Sequence, residues 1–148
     1  AGTEQFNEDD TLICVLPLFH IYGMQVIMND GLRAGATIVM LPRFDLEAML
    51  RAIETHRVTF AHFVPPIMLK LVKQSLVERY DLSSLKTIFS GAAPLSAEVA
   101  RECAARLGCH IKQGYGMTET APGTHMSPHD PDNVRCDSIG WCVPNMEC

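Results

Sequence analysis

Residues 113–120, QGYGMTET, contain several residue types suited to binding a nucleotide. Gly114 and Gly116 allow the backbone to approach a ligand closely and to adopt conformations closed to bulkier residues. The Thr118 hydroxyl can hydrogen-bond a phosphate oxygen, and the Glu119 carboxylate can supply a hard oxygen ligand to Mg²⁺. The segment is not a Rossmann fingerprint, because it lacks the third glycine. It is not a P-loop either, because the chain contains no Gly-Lys-Ser/Thr sequence.

Two other segments carry residue types that could line the same site. Residues 90–96, SGAAPLS, are small side chains that could form a slot for a planar base. Residues 17–24, PLFHIYGM, place His20 and Tyr22 in an apolar run, where they could border an aromatic pocket. Taken singly, each segment also fits a structural role, as a tight turn or as a histidine satisfied in the core. Arg43 could reach an anionic ligand or be merely solvated.

The elements that must position these segments follow from the alternation of short apolar runs with longer amphipathic stretches. Strands are predicted at residues 11–16, 36–41, 58–63, 85–89 and 109–113. Helices are predicted at residues 19–33, from Asp45 to about 56, from 65 to about 78, and from Ser96 to 107. A glycine turn at 114–116, a short helical start and a loop at 122–137 should follow.

Strands separated by helices imply βαβ crossovers, and therefore an α/β fold with a largely parallel sheet covered by helices on both faces. In open sheets of this kind, ligands bind beyond the carboxyl ends of the strands. The three segments and Arg43 follow the first, second, fourth and fifth predicted strands. The sequence therefore predicts that they gather at one edge of the sheet.

Composition limits the range of functions. The chain has 148 residues, 47% apolar and 20% charged, with a net charge of −5. This is ordinary globular composition for one domain, and its charge argues against a nucleic-acid surface or a basic membrane-binding face. Its apolar runs are shorter than the ~20 residues of a membrane-spanning helix. The six cysteines have no recognised zinc-ligand spacing, so we expect reduced thiols and an intracellular location.

Together, these segments resemble the motifs of the adenylate-forming superfamily, which includes 4-coumarate:CoA ligases, acyl-CoA synthetases and luciferases. The resemblance extends to residues 80–85 (YDLSSL) and 138–144 (SIGWCVP) and covers essentially the whole chain. It implies that residues 1–148 are part of an AMP-binding N-terminal domain. It also implies a two-step reaction, in which a carboxylate and ATP form an acyl-adenylate and coenzyme A then displaces AMP. ATP, Mg²⁺ and coenzyme A would be the cofactors.

The resemblance also implies roles for individual residues. Thr118 would hold the phosphate, Glu119 would bind Mg²⁺, His20 would gate the carboxylate, and Arg43 would contact coenzyme A. The nucleotide-binding residues would be Gly91, Ala92, Ala93, Pro94, Gln113, Gly114, Tyr115, Gly116, Met117 and Thr118. The acyl group would contact His20, Tyr22, Val26, Ala93, Gly114 and Met126. Val26 replaces a small polar residue found in some plant enzymes, which argues against a hydroxycinnamate substrate.

Residues 1–148 contain no counterpart of the family's phosphate loop, of its ribose-binding aspartate or of its C-terminal catalytic lysine. We therefore expect this polypeptide by itself to form no adenylate, although its parent protein should. Uncovered sheet edges and faces should favour self-association. The parent would be cytoplasmic or peroxisomal. Two alternatives stay open: a luciferase-like or carrier-loading relative that shares only the first half-reaction, and a non-catalytic binding module.

Overall fold

The computed structural model describes residues 6–128 and 130–147, and the sheet is its central feature. Its strands are β1 (Thr11–Cys14), β2 (Thr37–Met40), β3 (Phe60–Phe63), β4 (Thr87–Ser90), β5 (His110–Gly116), β6 (Gly123–Met126) and β7 (Trp141–Cys142). They are adjacent in the order β2-β1-β3-β4-β5-β6-β7. The pairs from β2 through β5 are parallel, whereas β6 pairs antiparallel with both β5 and β7.

Helices connect the parallel strands, as predicted. A π-helical segment (Tyr22–Asn29) continues into α1 (Asp30–Ala34), followed by α2 (Leu46–His56), α3 (Pro65–Lys73) and α4 (Ala97–Leu107). Single 3₁₀ turns lie at Ser75–Arg79, Thr118–Thr120 and Pro131–Asn133. The predicted caps are confirmed. The Asp45 carboxylate accepts a hydrogen bond from the Ala48 amide at 2.8 Å, and Gly35 and Gly108 end α1 and α4 in the left-handed region.

Each face of the sheet has its own hydrophobic core, which confirms an α/β fold with helices on both faces. Helices α2, α3 and α4 pack on the face that carries Ile13, Phe63 and Ile88. The π-helical segment packs on the opposite face, against Leu12 and Phe60. Alternation along the strands therefore decides which core each residue enters.

Two predictions about the C-terminal part of the chain are wrong. Residues 114–116 were expected to form a turn, but they belong to β5. The expected loop at 122–137 contains β6. Gly114 pairs with Met126 and Gly116 with Gly123, so backbone hydrogen bonds extend β5 past its parallel partner β4. The sequence GTHM of β6 has no apolar alternation to indicate a strand.

The expectation of reduced cysteines is wrong for Cys142, which is disulfide-bonded. Cys14, Cys103, Cys109 and Cys136 are free thiols. Burial raises the pKa of Cys103 and of Cys109 to about 12, so both behave as small hydrophobic residues. Across the described residues, no three His, Cys, Asp or Glu side chains come together as a metal-binding group. Within the same ranges, no helix has the length and apolar character needed to cross a bilayer.

The Asp45 cap leads to a stability prediction. Replacing Asp45 with alanine is expected to lower the free energy of unfolding by about 1 kcal/mol, because the Ala48 amide in the first turn of α2 loses its acceptor. Asp45→Asn is the matched control, since asparagine caps helices equally well. Urea denaturation of both variants checks the difference. Equal losses in the two would show that the cap contributes nothing.

Candidate active site

A cavity of about 220 Å³ lies beyond the carboxyl ends of β4 and β5, where the sequence predicts a ligand site. Its walls come from the start of the π-helical segment, the turn after β4, the end of β5 with the following 3₁₀ turn, and β6. The lining residues are His20, Ile21, Tyr22, Val26, Phe89, Gly91, Ala92, Gly114, Tyr115, Gly116, Met117, Thr118, Pro122, Gly123, His125 and Met126. Segments nearly 100 positions apart in the chain therefore meet at one site.

Most of the predicted site residues line this cavity together. They are His20, Tyr22, Val26, Gly91, Ala92, Gly114, Tyr115, Gly116, Met117, Thr118 and Met126. His20 and Thr118 both line the cavity, although they come from the first and last of the three predicted segments. The residues with hydroxyl, imidazole and aromatic side chains therefore surround one cavity.

Five predicted residues do not line the cavity. Ala93 and Pro94 are exposed in the turn that precedes α4, and Glu119 is exposed in the 3₁₀ turn next to Thr118. The buried Gln113 donates its side-chain amide to the Cys136 carbonyl at 2.7 Å. Arg43 is exposed beyond the edge strand β2, with β1, β3 and β4 between it and β5.

Glycines keep the cavity walls in close contact. A β-carbon at Gly114 would lie 2.5 Å from Cζ of Phe89 and 2.8 Å from the His125 carbonyl oxygen. A β-carbon at Gly91 would lie 3.2 Å from Cε1 of Tyr22. The contact of Gly114 with the His125 backbone leaves no room for a side chain there, whereas a side chain at Gly91 would require the Tyr22 ring to shift by a few tenths of an ångström.

His20 has a defined tautomer in the described structure. Its Nδ1 accepts a hydrogen bond from the Tyr22 backbone amide at 3.1 Å. A ring nitrogen that accepts carries no proton, so the proton of neutral His20 must be on Nε2. The exposed ring can therefore donate from Nε2 to an anionic oxygen in the cavity.

His62 is a residue to which the sequence assigned no role. It lies within β3 and is fully buried, and burial lowers its pKa to about 3. Its Nδ1 lies 3.2 Å from the Tyr22 hydroxyl, and its ring packs between Phe60 and Phe89. The signal that could have found it is the alternation in β3, because His62 must share the face of Phe60.

His125 is a lining residue that the sequence missed, because it falls in β6, where a loop was expected. Its ring centroid lies 6.4 Å from that of Tyr115, and its Nδ1 lies 3.0 Å from the Thr124 hydroxyl. That hydroxyl also donates to the Tyr115 carbonyl at 3.2 Å. His125 thus lies beside the exposed ring of Tyr115, one of the residues predicted to bind the nucleotide.

Known proteins share both the sequence and the fold. Residues 1–148 match the family described as AMP-binding enzyme. The chain is 44% identical to 4-coumarate-CoA ligase 1 of Narcissus pseudonarcissus over 146 residues, which cover 96% of this chain and 27% of that protein. The crystal structure of ATP-bound MatB from Rhodopseudomonas palustris aligns with a TM-score of 0.83 at 33% identity, covering 94% of this chain and 27% of that one.

A natural red-emitting luciferase from Phrixothrix hirtus aligns with a TM-score of 0.76 at 35% identity, covering 84% of this chain and 24% of that one. This chain therefore spans about a quarter of the length of the relatives that it matches. The family match over the whole sequence agrees with the order of the three motifs and with the parallel sheet that holds them. The chain belongs to the AMP-binding enzyme family.

Proposed function

We propose that the whole protein uses ATP to activate a carboxylic acid as an acyl-adenylate and then transfers the acyl group to coenzyme A. One observation carries the proposal: the hydroxyl-bearing Thr118 and the donor-competent His20 line the same cavity as the apolar Val26, Phe89 and Met126. Such a cavity can hold an apolar acyl group on one wall and anionic oxygens on another. The family match and the ATP-bound relative support ATP as the nucleotide.

The residues of this chain would act mainly by positioning. In the first step, a carboxylate oxygen forms a bond to the α-phosphorus of ATP while the bond to pyrophosphate breaks. The Nε2–H of His20 would orient the carboxylate, and the Thr118 hydroxyl would donate to a phosphate oxygen. Preorganised donors aimed at developing charge lower such barriers without solvent reorganisation. In the second step, the thiol of coenzyme A attacks the acyl carbon and AMP leaves.

Glu119 is the residue that fits Mg²⁺. Its carboxylate is exposed beside Thr118, and Mg²⁺ is commonly bound by one or two protein carboxylates together with substrate phosphates and water. When bound, the ion would neutralise charge on the phosphates. Arg43 is proposed to contact coenzyme A, because an exposed guanidinium suits an anionic ligand.

Thr118 provides the direct test in the whole protein. Thr118→Val is expected to lower kcat/KM for carboxylate-dependent ATP–pyrophosphate exchange by about 100-fold, because the phosphate loses a hydroxyl donor while the side chain keeps its shape. Thr118→Ser keeps the hydroxyl and should stay within about tenfold of the wild type. Equal activity of the valine variant and the wild type would contradict the assignment.

Two further measurements distinguish the alternatives. Mass-spectrometric detection of an acyl-CoA thioester tests the second step, and adenylate formation without thioester would favour a luciferase-like or carrier-loading enzyme. The absence of both nucleotide binding and exchange in the whole protein would favour a non-catalytic module. Residues 1–148 expressed alone are proposed to be inactive, because the chain spans only 27% of a relative's length.

A further inference from the structure

We infer that His62 is a specificity-determining positioning residue that holds the Tyr22 hydroxyl in the core, so that the acyl cavity selects carboxylic acids with an apolar tail over those carrying a terminal hydroxyl. This inference rests on the proposed function and specifies its substrate class. His62 itself does not line the cavity. It acts through Tyr22, which does.

The geometry directs the phenol of Tyr22 inward. Tyr22 is only 8% exposed, and its hydroxyl lies 3.2 Å from Nδ1 of the fully buried His62. The same hydroxyl lies within 3.5 Å of the Phe89 carbonyl oxygen, to which it can donate. The cavity is therefore bordered by the Tyr22 ring, while the polar end of the side chain is engaged by the core.

One His62 tautomer gives both groups of this pair a partner. In it, Nδ1–H of His62 donates to the phenol oxygen, and the Tyr22 proton is directed to the Phe89 carbonyl, which can only accept. Nε2 then carries a lone pair, which agrees with its having no hydrogen-bond partner among the residues that the structure describes. An apolar residue would fill this site without an unpaired nitrogen. The histidine therefore supplies a polar partner to the phenol in addition to packing against Phe60 and Phe89.

The lining of the cavity that Tyr22 borders also includes the apolar Ile21, Val26, Phe89 and Met126. A hydroxyl at the end of an acyl tail would lose its hydrogen bonds to water when it lies against these apolar groups. An unpaired polar group in such surroundings is disfavoured. Because His62 holds the Tyr22 phenol in the core, the phenol cannot hydrogen-bond the terminal hydroxyl of a substrate. This contact links His62 to the choice of substrate.

The test uses ATP–pyrophosphate exchange by the whole protein with pairs of acids that differ by one terminal hydroxyl. The pairs are hexanoate and 6-hydroxyhexanoate, octanoate and 8-hydroxyoctanoate, and cinnamate and 4-hydroxycinnamate. For the pair that is used best, the wild type should prefer the apolar acid by about 10- to 100-fold in kcat/KM, the range that an apolar pocket achieves against an added hydroxyl.

His62→Leu should reduce this preference by about tenfold, because the phenol loses its donor and becomes available to the cavity. Adding Tyr22→Phe to that variant should restore the preference, since no phenol then remains. His62→Asn is the matched control, because its amide can place a donor near the Nδ1 position. If His62→Leu does not fold, His62→Met makes the same deletion with a more adaptable side chain.

The possible results separate the two proposals. No exchange with any acid would contradict the proposed function, together with the inference that depends on it. Exchange with an unchanged preference in His62→Leu would overturn only the role of His62. A reduced preference that Tyr22→Phe does not restore would overturn it as well, because His62 would then act through general packing. A wild type that favours the hydroxylated acid would exclude the apolar substrate class.

Discussion

Replacing Gly116 with alanine is expected to lower adenylate formation by the whole protein by about 100-fold, the loss that follows a displacement of reacting groups by about 1 Å. A β-carbon at Gly116 would lie 2.0 Å from the Pro122 carbonyl oxygen and 3.0 Å from Cα of Gly123. These neighbours are backbone atoms and cannot rotate away. The carbonyl of Pro122 also accepts the Met117 amide at 2.8 Å, so the clash must move the backbone that leads to Thr118.

Gly123→Ala is the matched control, because Gly123 pairs with Gly116 across the β5–β6 ladder. A β-carbon there meets nothing within 4 Å, and its backbone is not in the left-handed region. The control should keep wild-type stability within about 0.5 kcal/mol, whereas Gly116→Ala should lose about 1–3 kcal/mol through overpacking. Urea denaturation and single-turnover adenylate formation measure the two effects. Wild-type rates for Gly116→Ala would show that the end of β5 does not position the Thr118 hydroxyl for the reaction.

Lowering the pH is expected to destabilise the protein through His62. Burial lowers the pKa of His62 from its usual 6.5 to about 3 in the folded state. Between these two values, the unfolded chain binds a proton that the folded chain does not, so stability falls as the pH falls. The slope approaches about 1.4 kcal/mol per pH unit, which amounts to about 2 kcal/mol between pH 7 and pH 5.

His62→Leu removes this titration and should flatten the dependence by that amount. The other histidines and the carboxylates contribute equally to the pH dependence of the wild type and of His62→Leu. The difference between the two curves of unfolding free energy against pH therefore isolates His62. Urea denaturation at pH 5, 6 and 7 provides the comparison. Parallel curves for the variant and the wild type would mean that His62 keeps its ordinary pKa and is therefore not sealed in the core.

The two predictions concern different parts of one arrangement. Gly116 lies next to the backbone that leads to Thr118, the proposed phosphate-binding residue, and His62 is proposed to control what the acyl wall presents. Both act through backbone or buried contacts rather than by touching the reacting atoms. The proposed activity therefore depends on close packing at the carboxyl ends of β3, β4 and β5 as much as on the residues of the motifs.

Much of the parallel half of the fold follows from local sequence. Asp45, Ser96, Gly35 and Gly108 mark helix ends because capping depends on the chemistry of one residue and its nearest amides. Apolar runs between these helices predict buried parallel strands, and parallel strands bring their carboxyl ends to one edge. That geometry alone predicts that the segments after β1, β4 and β5 meet, as they do around the cavity.

The order of the strands and the side of the sheet to which individual side chains point, in contrast, were decided by the tertiary structure. Arg43 lies far from the cavity because β2 is an edge strand, and nothing local indicates which strand will be at the edge. Gln113 contacts Cys136 because strand alternation turns it away from Gly114. β6 exists because the backbone of β5 offers it hydrogen bonds, and His62 matters because Tyr22 folds onto β3. These properties depend on long-range pairing, and a linear pattern of residue types does not contain it.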